Sequence, residues 1–155
     1  RRFGKSLLVS TLDAYFRGKK ELFQGLAMEC LEKEWNVYPV LHLDLNAEKY
    51  DSSERLYDIL NNNLNIWEDI YGKDTREATL PGRFSGIIRR ASEQTGCSVV
   101  VLVDEYDKPL LQALGNDELL EDYRKTLKAF YGVLKSADRY LRFAFLTGTS
   151  CRISA

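Results

Sequence analysis

The chain has 155 residues, of which 45% are apolar and 29% are charged, and its formal net charge at pH 7 is −1. That composition is typical of one globular domain with a sizeable core, and its charge gives no direct signal for nucleic acid or an anionic membrane as a partner. No apolar run reaches membrane-spanning length, and three widely spaced cysteines favour a reducing, cytoplasmic setting over a disulfide framework or a zinc site.

The first predicted element is a helix. Apolar residues recur at helical spacing over residues 5–16, and Gly18 offers a C-terminal stop. Residues 19–35 mix helix formers with a glycine, which predicts two short helical pieces. Their apolar side chains are expected to pack inward: Leu22, Phe23, Leu26 and Leu31.

A strand and two helices follow in the prediction. The strand covers residues 38–45, with Pro39 at its entrance, where a missing N–H harms the ladder least. The pattern Asp-Ser-Ser-Glu over residues 51–54 resembles a capping box, and Pro81 suits the first position of a further helix that Gly96 ends. The stripe expected to be buried on the first helix is Leu56, Ile59, Leu60, Leu64, Trp67 and Ile70. On the second helix it is Phe84, Ile87, Ile88 and Ala91.

The next part of the chain begins with a continuous apolar run over residues 99–103, which predicts a strand buried on both faces. Pro109 disfavours helix at Lys108, because the residue before a proline avoids the helical region. Asn116 or Asp117 can cap a long helix. The apolar stripe of that helix is Leu120, Tyr123, Leu127, Phe130, Tyr131 and Leu134.

A third strand is predicted at Leu141–Leu146, and the alternation of strands with helices predicts an α/β, three-layer fold with a mainly parallel sheet. We expect residues 99–103 in the middle of this sheet, between residues 38–45 and Leu141–Leu146. The outer edge of the third strand is expected to be unpaired, which would make the isolated chain prone to self-association. Such a sheet normally has more strands, so the chain is expected to be part of a longer protein.

The first of two motifs that carry chemistry is Gly4-Lys5-Ser6, directly before the first helix. It matches the second half of the phosphate loop G-x-x-x-x-G-K-[ST], the Walker A motif. There, backbone N–H groups at a helix start bind phosphate, the lysine reaches the β- and γ-phosphates, and the hydroxyl ligates Mg²⁺. Alone, such a triplet is more often an exposed turn.

The second motif is the pair Asp104-Glu105, which follows the buried strand as a Walker B motif would. A carboxylate beside an apolar strand is costly unless a cation or hydrogen-bond donors meet it. A strand that merely ends in solvated acids is common, but the order of the two motifs along the chain favours nucleotide binding. Asp104 would then hold Mg²⁺, usually through water, and Glu105 would orient and deprotonate the attacking water, with Thr147 as a polar group beside it.

At these motifs the sequence resembles the bacterial AAA-ATPase-like proteins, whose members begin with a loop similar to the Arg-Arg-Phe-Gly-Lys-Ser of residues 1–6. The likeness extends over residues 15–16, 18–23, 38–40, 42–44, 103–111 and 145–148, and the run Asp-Glu-Tyr-Asp-Lys-Pro is its most specific part. The resemblance implies a partial P-loop NTPase-type ATPase domain over residues 1–155. Such a domain is expected to be truncated here, with the strand before the phosphate loop and the later strands missing.

On this interpretation the nucleotide-binding residues are Phe3, Gly4, Lys5, Ser6 and Leu7, the metal ligands are Ser6 and Asp104, and the catalytic residues are Glu105 and Thr147. The implied cofactors are ATP and Mg²⁺. Three arginines near the motifs could help to neutralise phosphate, with simple solvation as the alternative: Arg1, Arg2 and Arg152.

The predicted function is ATP binding and hydrolysis that drives conformational change in a larger multidomain protein. The resemblance also implies a restriction-endonuclease-like domain further along the parent protein, and homo-oligomer formation stays open. One alternative is a nucleotide-dependent switch or scaffold with vestigial hydrolysis, and another is a small-molecule kinase. Glu105 favours turnover, since a protein that only binds nucleotide needs no base.

Two further polar residues have open or structural roles. Asp107 could lie in the outer shell of the metal site or cap the turn before the proline, and the sequence supports the two interpretations equally. His42, the only histidine, alternates with leucines in its strand, which predicts a structural hydrogen bond on the opposite face.

Overall fold

The sheet has the predicted strand order. The computed structural model describes residues 3–46, 49–149 and 152–154. Strands β1 (Val40–Asp44), β2 (Val99–Asp104) and β3 (Leu141–Leu146) are parallel, and β2 lies in the middle. A short strand, β4 (Arg152–Ser154), pairs antiparallel with β3. The prediction that the outer edge of β3 is unpaired is therefore wrong for residues 144–146, where β4 pairs with that edge. No described strand pairs with the outer edge of residues 141–143.

Six helices accompany the sheet in the described part of the chain: α1 (Phe3–Phe16), α2 (Ala27–Leu31), α3 (Ser53–Tyr71), α4 (Leu80–Thr95), α5 (Lys108–Gln112) and α6 (Asp117–Ser136). Short 3₁₀ turns at Lys20–Phe23 and Asp138–Tyr140 complete the order. Gly96 adopts a left-handed conformation with φ of 67°, and it ends α4 as predicted.

The three-layer arrangement follows from the alternation of side chains along β2, all six of whose residues are buried. Val100 and Leu102 point to the face that α1 covers with Val9. Val101 and Val103 point to the opposite face, where they join the larger core. That core is built mainly from the predicted stripes of α3, α4 and α6, and its members include Leu60, Phe84, Ile87, Tyr123 and Phe130.

Several predicted burials are wrong. Of the four side chains expected inside around the first short helical pieces, only Phe23 is buried, whereas three are largely exposed: Leu22, Leu26 and Leu31. Helical spacing tells which residues share a face, but it does not tell whether another element covers that face. Ile70 is also exposed, since Tyr71 continues the buried stripe of α3 beyond Trp67.

Some of the residues predicted to begin helices do so in the structure, and others do not. Thr79 and Asn116 cap α4 and α6 with side-chain oxygens that accept from Gly82 N and Leu119 N. Ser52 occupies the N-cap of α3 but makes no side-chain cap bond, so the predicted capping box does not form. Helix α5 begins at Lys108, against prediction, because Pro109 stays in the first turn, where its missing N–H costs nothing.

Candidate functional site

The two sequence motifs meet at the carboxyl edge of the sheet. Ser6 lies in the first turns of α1, Asp104 is the last residue of β2, and the two are 98 positions apart in the chain. The Ser6 Oγ hydroxyl donates a hydrogen bond of 2.9 Å to Asp104 Oδ2. The contact joins the helix start to the strand end, as a phosphate loop and its acidic strand require.

Asp104 is a buried carboxylate, only 5% exposed, whose partners are neutral. Besides Ser6, the fully buried Thr147 hydroxyl donates to Asp104 Oδ1. Among the described residues, Asp104 forms no ion pair with a lysine or arginine. Hydroxyl donors satisfy the oxygens of this carboxylate but leave its charge without a compensating cation.

Thr147 is fixed by its backbone as well as its side chain. Its N–H donates to Val103 O at 2.8 Å, and its carbonyl accepts from Tyr106 N at 2.7 Å. Its hydroxyl oxygen also accepts from Glu105 N at 3.2 Å. The end of β3 and the turn after β2 are therefore held together at one residue.

Glu105, the predicted base, has φ of 56°, and it is the one non-glycine residue with positive φ in the described chain. A side chain in this region costs about 1–2 kcal/mol, so the surrounding contacts must hold the conformation. Glu105 is half-buried and lies directly after the buried Asp104. The strained turn thus separates a buried carboxylate from a partly exposed one.

The start of α1 carries no negative charge and is sterically open at Gly4. Its first turn contains no acidic residue, and a Cβ atom placed on Gly4 would meet nothing within 4 Å. The Lys5 ammonium donates to the carbonyl oxygen of Gly148, in the turn after β3. Leu7 points to solvent, with 67% exposure. Arg1, Arg2 and the side chains of Phe3 and Arg152 lie outside the described residues.

Asp107 lies at the same edge in a role that neither prediction anticipated. It occupies the N-cap of α5 but makes no side-chain cap bond. Its Oδ2 instead accepts from Thr149 N at 2.8 Å, and its Oδ1 is buried without a hydrogen-bond partner in the described part of the chain. The one signal in the sequence is the glycine at position 148, two residues after the end of β3. A Cβ atom there would lie 2.7 Å from Asp107 Cγ.

Two residues near the site have structural roles. His42 Nδ1 lies 3.1 Å from Asp13 Oδ2 of α1, which confirms the structural hydrogen bond predicted for the histidine. Tyr131 of α6 donates to Tyr106 O at 3.4 Å. Burial raises the pKa of the Tyr131 phenol far above its usual value, which keeps it protonated as a donor.

A divalent cation would need ligands beyond the protein. The described residues include no group of three or more His, Cys, Asp or Glu side chains placed to hold a metal. Two neighbouring oxygens of an octahedral Mg²⁺ shell lie about 2.9 Å apart, given Mg–O bonds of about 2.0–2.1 Å. The Ser6 and Asp104 oxygens are 2.9 Å apart, which is the length of an ordinary hydrogen bond and is compatible with that spacing. They fit Mg²⁺ that takes its remaining ligands from phosphate and water.

Comparison with known proteins identifies the family. The family model described as a predicted AAA-ATPase matches residues 1–154. The chain belongs to this AAA-ATPase-like family. No described helix of this AAA-ATPase-like chain is both long and apolar enough to cross a membrane.

The AAA-ATPase-like chain is also similar to a curated protein from Azotobacter chroococcum mcd 1, named "Uncharacterized protein in vnfD 5'region". The two are 37% identical over 150 residues, which cover 97% of this chain and 29% of the relative. The chain therefore spans less than a third of that relative's length. No solved structure matches this chain.

Proposed function

We propose that the chain binds ATP with Mg²⁺ where α1 meets β2, and that it hydrolyses the bound ATP. The observation that carries the proposal is the contact between Ser6 of the glycine-lysine-serine turn and Asp104 at the end of the buried strand. Each motif alone has a common structural explanation, but such explanations do not require the two to meet. A phosphate site with a metal does require it.

Phosphate binding is assigned to the start of α1 and to Lys5. The free N–H groups of the first helical turn carry a partial positive charge, and Gly4 leaves the space in front of them open. Lys5 adds a full positive charge on a flexible stem, which can exchange the Gly148 carbonyl for phosphate oxygens. Ser6 and Asp104 are the metal ligands in this proposal.

Hydrolysis is assigned to Glu105. When bound, Mg²⁺ would neutralise charge that develops on the phosphate oxygens. Glu105 would accept the proton of the attacking water, since it lies half-buried beside Asp104. Thr147 would hold the Asp104 carboxylate and the Glu105 backbone in a fixed relation.

The coupling to conformational change is proposed from Lys5. In the structure its ammonium contacts the turn after β3, and phosphate binding would draw it away. The turn leads into β4, so nucleotide state and the β3–β4 hairpin would be linked. We propose that this link acts on further parts of a longer cytoplasmic protein, a nuclease-like domain among them.

The substitution Glu105→Gln tests turnover. It keeps the shape but removes the base, so Mg²⁺–ATP should still bind while phosphate release falls by about a hundredfold or more. Both quantities can be measured on one preparation, by calorimetry and by a phosphate assay without an added acceptor. Normal hydrolysis by the variant would contradict the assignment of the base. Binding without turnover in the wild type would favour the switch or scaffold instead.

A further inference from the structure

We propose that Asp107 is a positioning residue of the nucleotide site, and that it acts through the turn at residues 147–149. The inference rests on the proposed function, because the turn matters only if Lys5 and Asp104 serve a nucleotide. Asp107 does not contact Ser6, Lys5 or Asp104 through any hydrogen bond of the described residues. Its influence must therefore pass through Thr149 and Gly148.

The turn supplies two contacts to the site and receives one from Asp107. Thr147 donates its hydroxyl to Asp104, and the Gly148 carbonyl accepts from Lys5. The next residue, Thr149, donates its N–H to Asp107 Oδ2 at 2.8 Å. Three consecutive residues thus link the proposed phosphate lysine and the proposed metal ligand to one carboxylate. A hydrogen bond to an ionised acceptor is stronger than a neutral one, so Asp107 is a firm anchor.

The packing at Gly148 indicates that the position of Asp107 is narrowly defined. A Cβ atom on Gly148 would lie 2.7 Å from Asp107 Cγ and 2.8 Å from Tyr106 Cδ1, closer than real Cβ contacts. The carboxyl group therefore lies directly against the backbone of the turn. It can hold the turn there only because residue 148 has no side chain.

The second carboxylate oxygen of Asp107 favours a functional role over a purely structural one. Asp107 Oδ1 is buried and has no hydrogen-bond partner among the described residues, which is an unfavourable place for a charged atom. A neutral acceptor would satisfy Thr149 N without that cost. Polar groups that are poorly satisfied in the fold are concentrated at functional sites, where a different requirement sets their position.

The substitution Asp107→Ala removes the anchor, and Asp107→Asn keeps an oxygen that can accept from Thr149. In the full-length protein with Mg²⁺–ATP, we expect Asp107→Ala to lower kcat by about tenfold or more while KM changes by less than about threefold. Asp107→Asn should recover most of kcat. A role limited to folding would lower the melting temperature and would give no such separation of kcat from KM.

Asp44→Ala is the matched control. Asp44 lies at the carboxyl end of the neighbouring strand, where its Oδ1 accepts from the N–H two residues later, Asn46 N, also at 2.8 Å. Both alanine variants lose a carboxylate–amide bond at the same sheet edge, and the melting temperature of each is measured beside its kcat. Only Asp107→Ala should lose kcat. Equal kcat losses in the two variants, or wild-type kcat in Asp107→Ala, would overturn the inference.

Gly148→Ala provides an independent check. The added methyl should displace the Asp107 carboxyl group, so this variant should repeat the loss of kcat. The double variant Asp107→Ala/Gly148→Ala should have a kcat no lower than that of the more impaired single variant, because both changes break the same contact between Asp107 and the turn. Effects that multiply would overturn the inference, and so would a wild type without turnover. Lys5→Ala in the same series tests the proposed function alone. If this variant binds ATP with normal affinity, the assignment of the phosphate site is wrong, whatever the Asp107 variants show.

Discussion

Two buried polar clusters of this molecule are satisfied in opposite ways. Between α3 and α4, Arg83 donates to both oxygens of Glu68 at 2.8 Å, and to Asn61 and Asn65 at 2.6 and 2.8 Å. At the sheet edge, Asp104 is equally buried but receives only hydroxyl donors. The first cluster contains both charges of an ion pair, whereas the second contains a negative charge without a partner cation in the described chain.

The difference separates a charge that belongs to the fold from one that is available to a ligand. The Arg83 guanidinium holds the pKa of Glu68 below its usual value, mainly by hydrogen bonding, and Glu68 in turn raises the pKa of Arg83. This pair joins two helices that both pack on the sheet. At the sheet edge, the proposed site takes its cation from outside the chain: Mg²⁺ would arrive with the nucleotide and neutralise Asp104.

The largest effect on stability is expected from Glu68→Ala. It leaves Arg83 buried and uncompensated, so the free energy of unfolding should fall by about 3–5 kcal/mol in a urea titration. Glu93→Ala is the control, because Glu93 pairs with Arg89 at 3.1 Å on the surface of α4. It should cost less than about 1 kcal/mol. Similar losses of unfolding free energy in both variants would show that the buried Glu68–Arg83 pair stabilises the fold no more than a surface pair does.

A smaller effect is expected from pH. The pKa of Glu68 is lowered by folding, so its stabilisation is complete above the ordinary glutamate value of about 4.3 and is lost as pH falls through the lower folded value. The stability difference between wild type and Glu68→Ala should therefore shrink in acid. Urea titrations at a series of pH values from neutral to acidic would measure it. A difference that stays constant would contradict the ion-pair account.

The smallest effect on stability is expected at the sheet edge itself. Asp104→Asn keeps an oxygen for one of the two hydroxyl donors and removes an uncompensated charge, so the free energy of unfolding should change by less than about 1 kcal/mol. The same variant should lose the Mg²⁺ dependence of ATP binding. A destabilisation as large as that of Glu68→Ala would mean that Asp104 belongs to the fold.

Much of the fold could be predicted because burial patterns are local. The apolar run of β2 requires cover on both faces, which dictates the layers, and the stripe of α4 is buried in full. The exposure of Leu31 and the pairing of β4 could not be predicted in this way. They depend on which other elements cover a face or an edge, and helical or strand periodicity does not carry that information.

The candidate site likewise has features that the sequence predicts and features that depend on tertiary contacts. Ser6 and Asp104 could be paired from the sequence because each lies in a motif with a fixed relation to a helix start or a strand end. The Asp107–Thr149 bond depends on the conformation of a turn, for which residues 147–149 have no periodic signal. The positive φ of Glu105 likewise results from tertiary contacts, since nothing in its residue type favours that conformation.

The central claim, that the start of α1 binds the phosphates of ATP, is tested most directly by calorimetric titration of Mg²⁺–ATP into the wild type, Lys5→Ala and Lys20→Ala. Lys20 is an exposed lysine of the 3₁₀ turn at Lys20–Phe23, away from the site. The account predicts that Lys20→Ala binds as the wild type does and that Lys5→Ala loses affinity by about a hundredfold or more, because it lacks the one side-chain cation assigned to the phosphates. Unchanged affinity in Lys5→Ala would contradict it.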